Sequence, residues 1–180
     1  MSTFTDRMIR AARLDPTVYE EVEADPTALG QATAVVVLSS VAGGLAGMSQ
    51  GGGSVGLIVG TIASLVGWYI WAFLTYVIGT KLLPGGATNA DTGQLLRTLG
   101  FAAAPGIVRV VGIVPGLVGL SFAVAALWSL AAMVVAVRQA LDYESTGRAF
   151  AVCVIGWLVQ VLVVGGLMLA VVGTITSVSQ

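Results

Sequence analysis

Histidine is absent from this 180-residue chain, cysteine occurs once, at Cys153, and only 9% of the residues carry charge. An ordinary soluble domain carries about 25% charged residues. Without histidine, and with a single cysteine, the chain lacks the ligand sets of common zinc sites, and no internal disulfide can form. A formal net charge of −1 provides no basic field that would attract nucleic acid. We therefore expect no cofactor, no metal and no nucleic-acid partner.

Apolar side chains make up 57% of the sequence, and its mean hydropathy is +0.96. A soluble domain of this length could not bury so much apolar surface, which indicates that lipid surrounds much of the chain. Crossing about 30 Å of hydrocarbon takes about 20 apolar residues in a helix. The sequence predicts an all-α integral membrane helical bundle of about five transmembrane helices. The predicted spans are residues 28–48, 56–79, 95–114, 117–137 and 149–173.

Residues 1–25 are predicted to form an arm ahead of the membrane domain, which would occupy residues 26–180. Apolar residues recur at helical spacing from Thr3 to Leu14, and Arg7, Arg10 and Arg13 follow one another on a neighbouring face. This pattern is typical of a short basic amphipathic helix that lies on an anionic inner leaflet. A solvated cytosolic arm is the alternative interpretation.

The basic residues also predict how the bundle is oriented. When the five spans are laid out in order, seven of the eight lysines and arginines fall on the side of the N-terminus. Cytoplasmic loops are enriched in such residues, so we expect the N-terminus inside and the C-terminus outside. The third span is the weakest, because it contains Pro105, Gly106 and Arg109. A re-entrant third segment would instead place the C-terminus inside.

The loop after the first span matches one nucleotide-binding pattern and one catalytic pattern by chance. Gly51, Gly53 and Gly56 have the spacing of a dinucleotide fingerprint, but the pattern lacks the preceding strand that such a site needs. Ser54 lies in a sequence like a nucleophile elbow, yet the chain has no histidine to accept its proton. No catalytic residue is expected, and the protein is predicted not to be an enzyme.

Arg109 is the single charged residue in the interior of a predicted span, since Arg97 stands near the start of the third span. An arginine at the centre of a bilayer costs about 3 kcal/mol on insertion scales, so such residues usually have a partner or a function. Helical spacing places small and polar neighbours on its side of the third span, and Thr61, Ser64 and Ser121 are expected at similar depth. These four residues are the candidate intramembrane site for a lipid or an anion. Snorkelling of the guanidinium to the outer headgroups is the alternative.

Glycines recur at helical spacing along several spans, and small residues let helix backbones approach closely in lipid. One stripe contains Gly43 and Gly47, a second runs through Gly52, Gly56 and Gly60, and a third lies near Gly112. Such stripes either form a contact face for a second copy of the chain or for another membrane protein, or they allow the helices of one bundle to pack closely.

A recognisable pattern extends from Leu95 to Trp157 and resembles the Yip family of Ypt/Rab-interacting membrane proteins, in a bacterial or archaeal branch. Its pieces are Leu96–Phe101 with Ala104-Pro105, Pro115-Gly116-Leu117, the span with Trp128, Arg138–Ala140, Ser145–Ala149 and Ile155–Trp157. The resemblance implies five spans and a cytosolic N-terminus. Eukaryotic relatives engage prenylated GTPases in Golgi and endoplasmic-reticulum membranes. The short arm here lacks their Asp-Leu-Tyr-Gly-Pro motif, which argues against binding of a small GTPase.

These observations predict a non-catalytic, multi-pass protein of the plasma (inner) membrane of a bacterium or archaeon, which organises lipids or membrane partner proteins. Membrane lipids are the expected partners. Arg97, Arg138, Tyr143 and Arg148 are the candidate contacts at the cytoplasmic face. The alternative function is a small-solute or anion transporter or channel with its site near Arg109.

Overall fold

A computed structural model describes residues 2–51, 53–86, 88 and 90–178, with side chains described as far as residue 162. This part of the chain is helical, without a strand. The helices are α1 (Phe4–Ala12), α2 (Pro16–Ala24), α3 (Ala28–Met48), α4 (Ser54–Val77), α5 (Thr92–Phe101), α6 (Val118–Ala140) and α7 (Thr146–Val178). A π-helical turn, Ile78–Leu82, extends α4, and a 3₁₀ segment, Ala104–Ile113, follows α5.

The predicted fold class is confirmed: the described chain is an all-α bundle with helices suited to a membrane. Four segments are long and apolar enough to cross one, namely Ala28–Met48, Ser54–Leu82, Thr92–Ile113 and Val118–Ala140. The side chains of α7 are described only to Leu162, and this portion is a shorter apolar helix. The last part of the fifth predicted span therefore lies outside the described side chains.

The third span is not the continuous helix that the sequence predicts. The α-helical hydrogen bonds of α5 stop after Phe101, and the chain continues from Ala104 as a 3₁₀ helix. Pro105 explains the break, because proline has no N–H for the carbonyl four residues earlier. A 3₁₀ helix rises about 2.0 Å per residue against 1.5 Å in an α-helix. The 3₁₀ segment is therefore longer than an α-helix of the same number of residues.

This span nonetheless follows α3 along its length instead of turning back. A β-carbon at Gly100 would lie 2.7 Å from Cβ of Ala32, and one at Gly112 would lie 3.0 Å from Cβ of Ala46. The two elements therefore run side by side in the same direction, with glycines at the points of closest approach. Thr92–Ile113 is thus long and apolar enough to cross a membrane beside α3, and its crossing stays a prediction.

The arm and two connecting segments meet at one end of the bundle, which we call the arm end. Gln139 near the end of α6 donates to the Glu20 carboxylate at 2.7 Å, and Tyr143 in the α6–α7 loop donates to the Leu83 carbonyl at 2.6 Å. The opposite end, formed by the α3–α4 and third span–α6 connections, is the far end. The arm end is the side predicted to face the cytoplasm, and this orientation stays a prediction.

The arm is folded against the bundle, and its arginines face acids of the arm itself. The Arg7 side chain is 7% exposed and pairs with Glu21 at 3.0 Å and Asp25 at 2.9 Å. Arg10 pairs with Asp15 at 2.9 Å and with Glu21 at 2.8 Å. The sequence pattern predicted arginines turned toward headgroups, but the acids of α2 and its flanks supply partners for two of the three.

The end of α1 is also tied to the membrane helices. The indole N–H of Trp128 on α6 donates to the Ala12 carbonyl at 2.7 Å, which satisfies a backbone acceptor at the helix terminus. The Tyr19 hydroxyl of α2 donates to the Ala11 carbonyl at 3.0 Å, and Tyr19 is fully buried. The arm is thus a helical hairpin that packs on the bundle, unlike a solvated tail.

Candidate intramembrane binding site

A cavity of about 840 Å³ lies within the bundle, between α3, α4, the third span, α6 and α7. Its rim includes apolar side chains that remain largely exposed, such as Leu127 (72%) and Trp157 (59%). In a bilayer these side chains contact lipid, so the cavity opens sideways into the membrane. The polar residues of its lining are Ser39, Ser40, Ser64, Trp71, Arg109, Ser129 and Gln160.

Arg109 enters this cavity from the 3₁₀ segment. Its Cδ would lie 3.4 Å from a β-carbon at Gly43, so the glycine of α3 leaves room for the stem of the side chain. Nη1 donates to the Ser39 hydroxyl at a long 3.5 Å, and the guanidinium lies 5.7 Å from the centre of the Phe122 ring. One weak hydrogen bond and one ring contact leave most of its five N–H groups available.

The guanidinium points toward the middle of the bundle. Its stem passes Gly43, and its Nη1 reaches Ser39, which lies one helical turn nearer the arm end on α3. An arginine that snorkels to the outer headgroups would extend in the opposite direction, toward the far end. The structure therefore shows the side chain in the cavity and turned away from the nearer interface.

Arg109 has no carboxylate within reach, and the reason is visible in the sequence. Positions 26–90, 92–141 and 145–180 contain no aspartate or glutamate, so every acid of the chain belongs to the arm or to the connections near it. The ion pairs in the described part of the chain all lie within the arm. The positive charge in the cavity is thus uncompensated by protein.

Two further residues of the cavity lining have polar atoms without a hydrogen-bond partner, but these atoms do not face the cavity. Among the described side chains, Trp71 Nε1 and Ser129 Oγ are buried atoms without a partner, and Trp71 as a whole is 9% exposed. The donors that reach the cavity are those of Arg109, and a guanidinium can donate hydrogen bonds but cannot accept them. The cavity is therefore suited to a ligand with acceptor oxygens, and the charge of Arg109 favours an anionic one.

The structure brings together two of the four residues predicted for this site. Ser64 lines the cavity with Arg109, and its hydroxyl donates to the Gly60 carbonyl at 2.8 Å. Thr61 donates to the Leu57 carbonyl at 2.9 Å and is not part of the lining. Ser121 is buried, donates to the Val118 carbonyl at 2.9 Å and is likewise outside the lining. Depth along a helix selected all four, but depth does not determine the direction of a side chain.

Sequence reasoning missed Ser39, Trp71, Ser129 and Gln160. A usable signal existed for the serines and the glutamine, because each is a polar residue in the middle of an apolar run. Trp71 gave no such signal, since an unpartnered indole N–H is a property of the packing around it.

Three of the four predicted cytoplasmic contacts meet at the arm end. Tyr143 is 4% exposed, its backbone carbonyl accepts from Arg138 Nε at 3.2 Å, and its ring lies 5.7 Å from the Arg148 guanidinium. Arg148 also donates to the Pro84 carbonyl at 3.3 Å. These groups fasten the α6–α7 loop to the end of α4. Arg97 lies apart from them.

Arg97 holds the end of α2 against α5. Its Nε donates to the Val22 carbonyl at 3.0 Å, and its Nη2 donates to the Glu23 carbonyl. Carbonyls in the last turn of a helix have no intrahelical partner, and a cation there also interacts favourably with the helix dipole. The Arg97 side chain thus serves to dock the arm.

The glycine stripes divide between the two interpretations. Gly43 and Gly112 face neighbouring helices, which is packing within one bundle. On α4, a β-carbon at Gly56, Gly60 or Gly67 would meet no described atom within 4 Å. This α4 face therefore looks out of the bundle. Gly52 of the same stripe lies outside the described residues.

A second depression, an apolar groove of about 570 Å³, follows α4 from Val59 to Leu74. Ala63, Gly67 and Gln160 line both the groove and the cavity, so the two depressions adjoin between α4 and α7. Only small side chains of α4 stand between them.

Comparison with known sequences supports the resemblance found in the sequence. The Yip1 domain family matches residues 14–168, from the start of the arm's second half to the described part of α7 and slightly beyond. Neither the curated proteins nor the solved structures contain a match. Because the matched residues cover most of the chain and the described fold is a helical membrane bundle, this protein belongs to the Yip1 domain family of membrane proteins.

Proposed function

We propose that this Yip1 domain protein is a non-catalytic membrane protein that organises lipids by holding the anionic group of a lipid in its intramembrane cavity. The observation that supports this most strongly is Arg109, which faces a cavity open to lipid and has no carboxylate near it. A role in membrane organisation agrees with what the family resemblance implies.

The physical argument starts from the cost of an unpaired charge. A guanidinium keeps its proton at any physiological pH, so it cannot avoid the cost of burial by becoming neutral. The described neighbours of Arg109 offer one serine hydroxyl and one aromatic ring. A phosphate oxygen would supply both the missing charge and strong, charge-assisted hydrogen bonds. Phospholipids are the abundant phosphate-bearing molecules that can reach a cavity from the side.

Retention of lipid during native mass spectrometry tests the proposal. We expect the wild-type protein, purified from membranes that contain phosphatidylglycerol, to carry this lipid, and Arg109→Gln to bind it about 10- to 100-fold more weakly. Arg13→Gln is the matched control, because it removes an exposed arginine of the arm and leaves the cavity intact. Equal retention by Arg109→Gln and the control would contradict the proposal.

The broken third span favours one second candidate, a transporter or channel for small anions. Transporters often place discontinuous helices around a polar site near the middle of the membrane, and the change from α5 to the 3₁₀ segment resembles this arrangement. Flux of chloride or phosphate into protein-containing vesicles, lost in Arg109→Gln, would support this candidate. Lipid retention without flux would support the lipid function.

We further propose that lipids are the main partners and that the open glycine face of α4 contacts other membrane proteins or a second copy. The face is supported by Gly56 and Gly60, which would let another helix approach closely. Binding of a small GTPase is not proposed. The plasma membrane of a prokaryote is the proposed location.

A further inference from the structure

Polar side chains of the cavity gather at the middle of the bundle when distance is counted along each helix. Ser39 lies nine residues before the end of α3 at Met48, which is about 14 Å from the far end at 1.5 Å per residue. Ser64 lies ten residues after the start of α4, about 15 Å from the same end, and Ser129 lies eleven residues into α6, about 17 Å. The Arg109 guanidinium shares the depth of Ser39, to which it donates.

This depth is half of the hydrocarbon thickness. A bilayer core is about 30 Å thick, so a phosphate bound at Arg109 would lie about 15 Å from either interface. The phosphate of a lipid that rests in either leaflet lies at the interface. A lipid phosphate at Arg109 would therefore belong to a lipid whose headgroup has left its own leaflet.

The cavity and the groove together give such a headgroup a route. The groove on α4 begins at Val59, five residues from the far end of that helix, and the cavity extends to Phe150, four residues from the arm-end start of α7. The two depressions adjoin at Ala63, Gly67 and Gln160, which line both. The route thus connects the two halves of the bilayer along a side of the protein that faces lipid.

The Arg109 guanidinium lies at the depth where a headgroup in hydrocarbon has the fewest other hydrogen-bond partners. Moving a charged or polar group into hydrocarbon without hydrogen bonds costs several kcal/mol or more, and water is scarcest at the centre. At this depth Arg109 offers donors that the described protein leaves unused. The exposed apolar rim, with Leu127 and Trp157, lets acyl chains stay in the membrane while the headgroup is inside.

Building on the proposed function, we propose that the cavity is a path along which phospholipid headgroups move between the two leaflets. The protein would then equilibrate lipids passively, without an energy source. Arg109 binds the phosphate at the midpoint of this path. The long 3.5 Å contact with Ser39 leaves Arg109 free to exchange one phosphate for the next.

Vesicles of phosphatidylcholine and phosphatidylglycerol, with a trace of phosphatidylglycerol that carries a fluorescent group on its head, test this path. Dithionite destroys only the fluorophores of the outer leaflet. Vesicles without protein should lose about half of the signal, whereas vesicles with the full-length protein should lose nearly all of it. We expect Arg109→Gln to slow the second half of this loss at least tenfold.

Ser121→Ala is the control, because Ser121 is a polar residue of α6 that donates to the Val118 carbonyl and does not line the cavity. Its rate should equal that of the wild type. Loss of only half of the signal with wild-type protein would overturn the path, even where mass spectrometry shows that the protein retains lipid through Arg109. Equal rates for wild type and Arg109→Gln would overturn it as well. Failure of lipid retention itself would instead contradict the proposed function.

Discussion

Gly100 shows, at the scale of single residues, how closely the third span approaches its neighbours. A β-carbon there would lie 2.7 Å from Cβ of Ala32 and 3.0 Å from Cζ2 of Trp68. The Trp68 indole is itself fixed by a 3.1 Å hydrogen bond to the Leu96 carbonyl. Neither neighbour can move away by a simple rotation, so the contact holds α3, α4 and α5 together only while position 100 lacks a side chain.

Gly100→Ala should therefore destabilise the protein by about 1–3 kcal/mol, the usual cost of forcing extra atoms into a packed core. Thermal or denaturant unfolding in detergent measures this difference. The control is Gly60→Ala on α4, where a β-carbon would meet no described atom within 4 Å. Equal stability of the two variants would show that the contact at Gly100 is not close.

Sequence reasoning at this scale found the charge but not its surroundings. Arg109 was identifiable because it is ionisable and lies in an apolar run. The need for a glycine at position 100 is explained by the close approach of Ala32 and Trp68, which belong to other helices. The direction of the Arg109 side chain depends on Gly43 and Ser39 in the same way. Contacts between distant segments of the chain are not encoded in local spacing.

At the scale of a structural element, helix α2 of the arm carries an acid, Glu23, whose pKa is set by burial and by neighbouring charges of both signs. Glu23, near the end of α2, is half-buried, and this burial raises its pKa to about 7, with a further contribution from the nearby Asp142 carboxylate. Glu20 and Asp91 act in the same direction, whereas the Arg97 guanidinium favours the ionised form. The docked arm thus favours a protonated Glu23.

Stability of the docked arm should therefore fall as the pH rises from 5.5 to 8. The pKa of Glu23 in the folded protein, about 7, exceeds its ordinary value of 4.5, so the stabilisation is complete below 4.5 and is lost as the pH rises through 7. Thermal unfolding at the two pH values measures the loss, which Glu23→Gln should remove. Glu20→Gln, which changes a neighbouring carboxylate of the same helix, should keep the pH dependence. A pH dependence that survives in Glu23→Gln would contradict this account.

Measurement above pH 5.5 excludes a second pH dependence, in which stability falls as the pH is lowered. Hydrogen bonds from Ser2 and the arginines lower the pKa of the Glu21 carboxyl, and those from Arg10 and Thr17 lower that of Asp15. The stability that these carboxylates contribute is lost only as the pH falls through their low folded-state pKa values. Both therefore stay ionised throughout the proposed measurement.

Some helices were predicted more accurately from the sequence than others, and the reasons are physical. Long apolar runs predicted α3, α4 and α6 well, since composition alone determines which segments can lie in lipid. The third span was predicted as one helix because its total length suits a membrane, although Pro105 divides it. The spacing of arginines in α1 was correctly read as an amphipathic pattern, but the acids that pair with Arg7 and Arg10 lie mostly beyond that helix.

At the scale of the whole molecule, charge is separated along the bundle axis. Aspartate and glutamate are confined to the arm and to the connections near the arm end, and the lysines and arginines other than Arg109 lie toward that end as well. The basic residues are the ones that orient a membrane protein, and the placing of the acids leaves Arg109 without a partner from the same chain. The charge distribution that makes the bundle recognisable from sequence therefore also creates the site.

A density map of the protein in nanodiscs that contain phosphatidylglycerol, at a resolution that shows lipids, tests the central claim most directly. We predict a phosphate within about 3 Å of the Arg109 guanidinium, with acyl chains leaving the cavity on the side that faces lipid. A cavity closed by protein side chains, with Arg109 hydrogen-bonded to backbone carbonyls and no lipid density beside it, would contradict the claim.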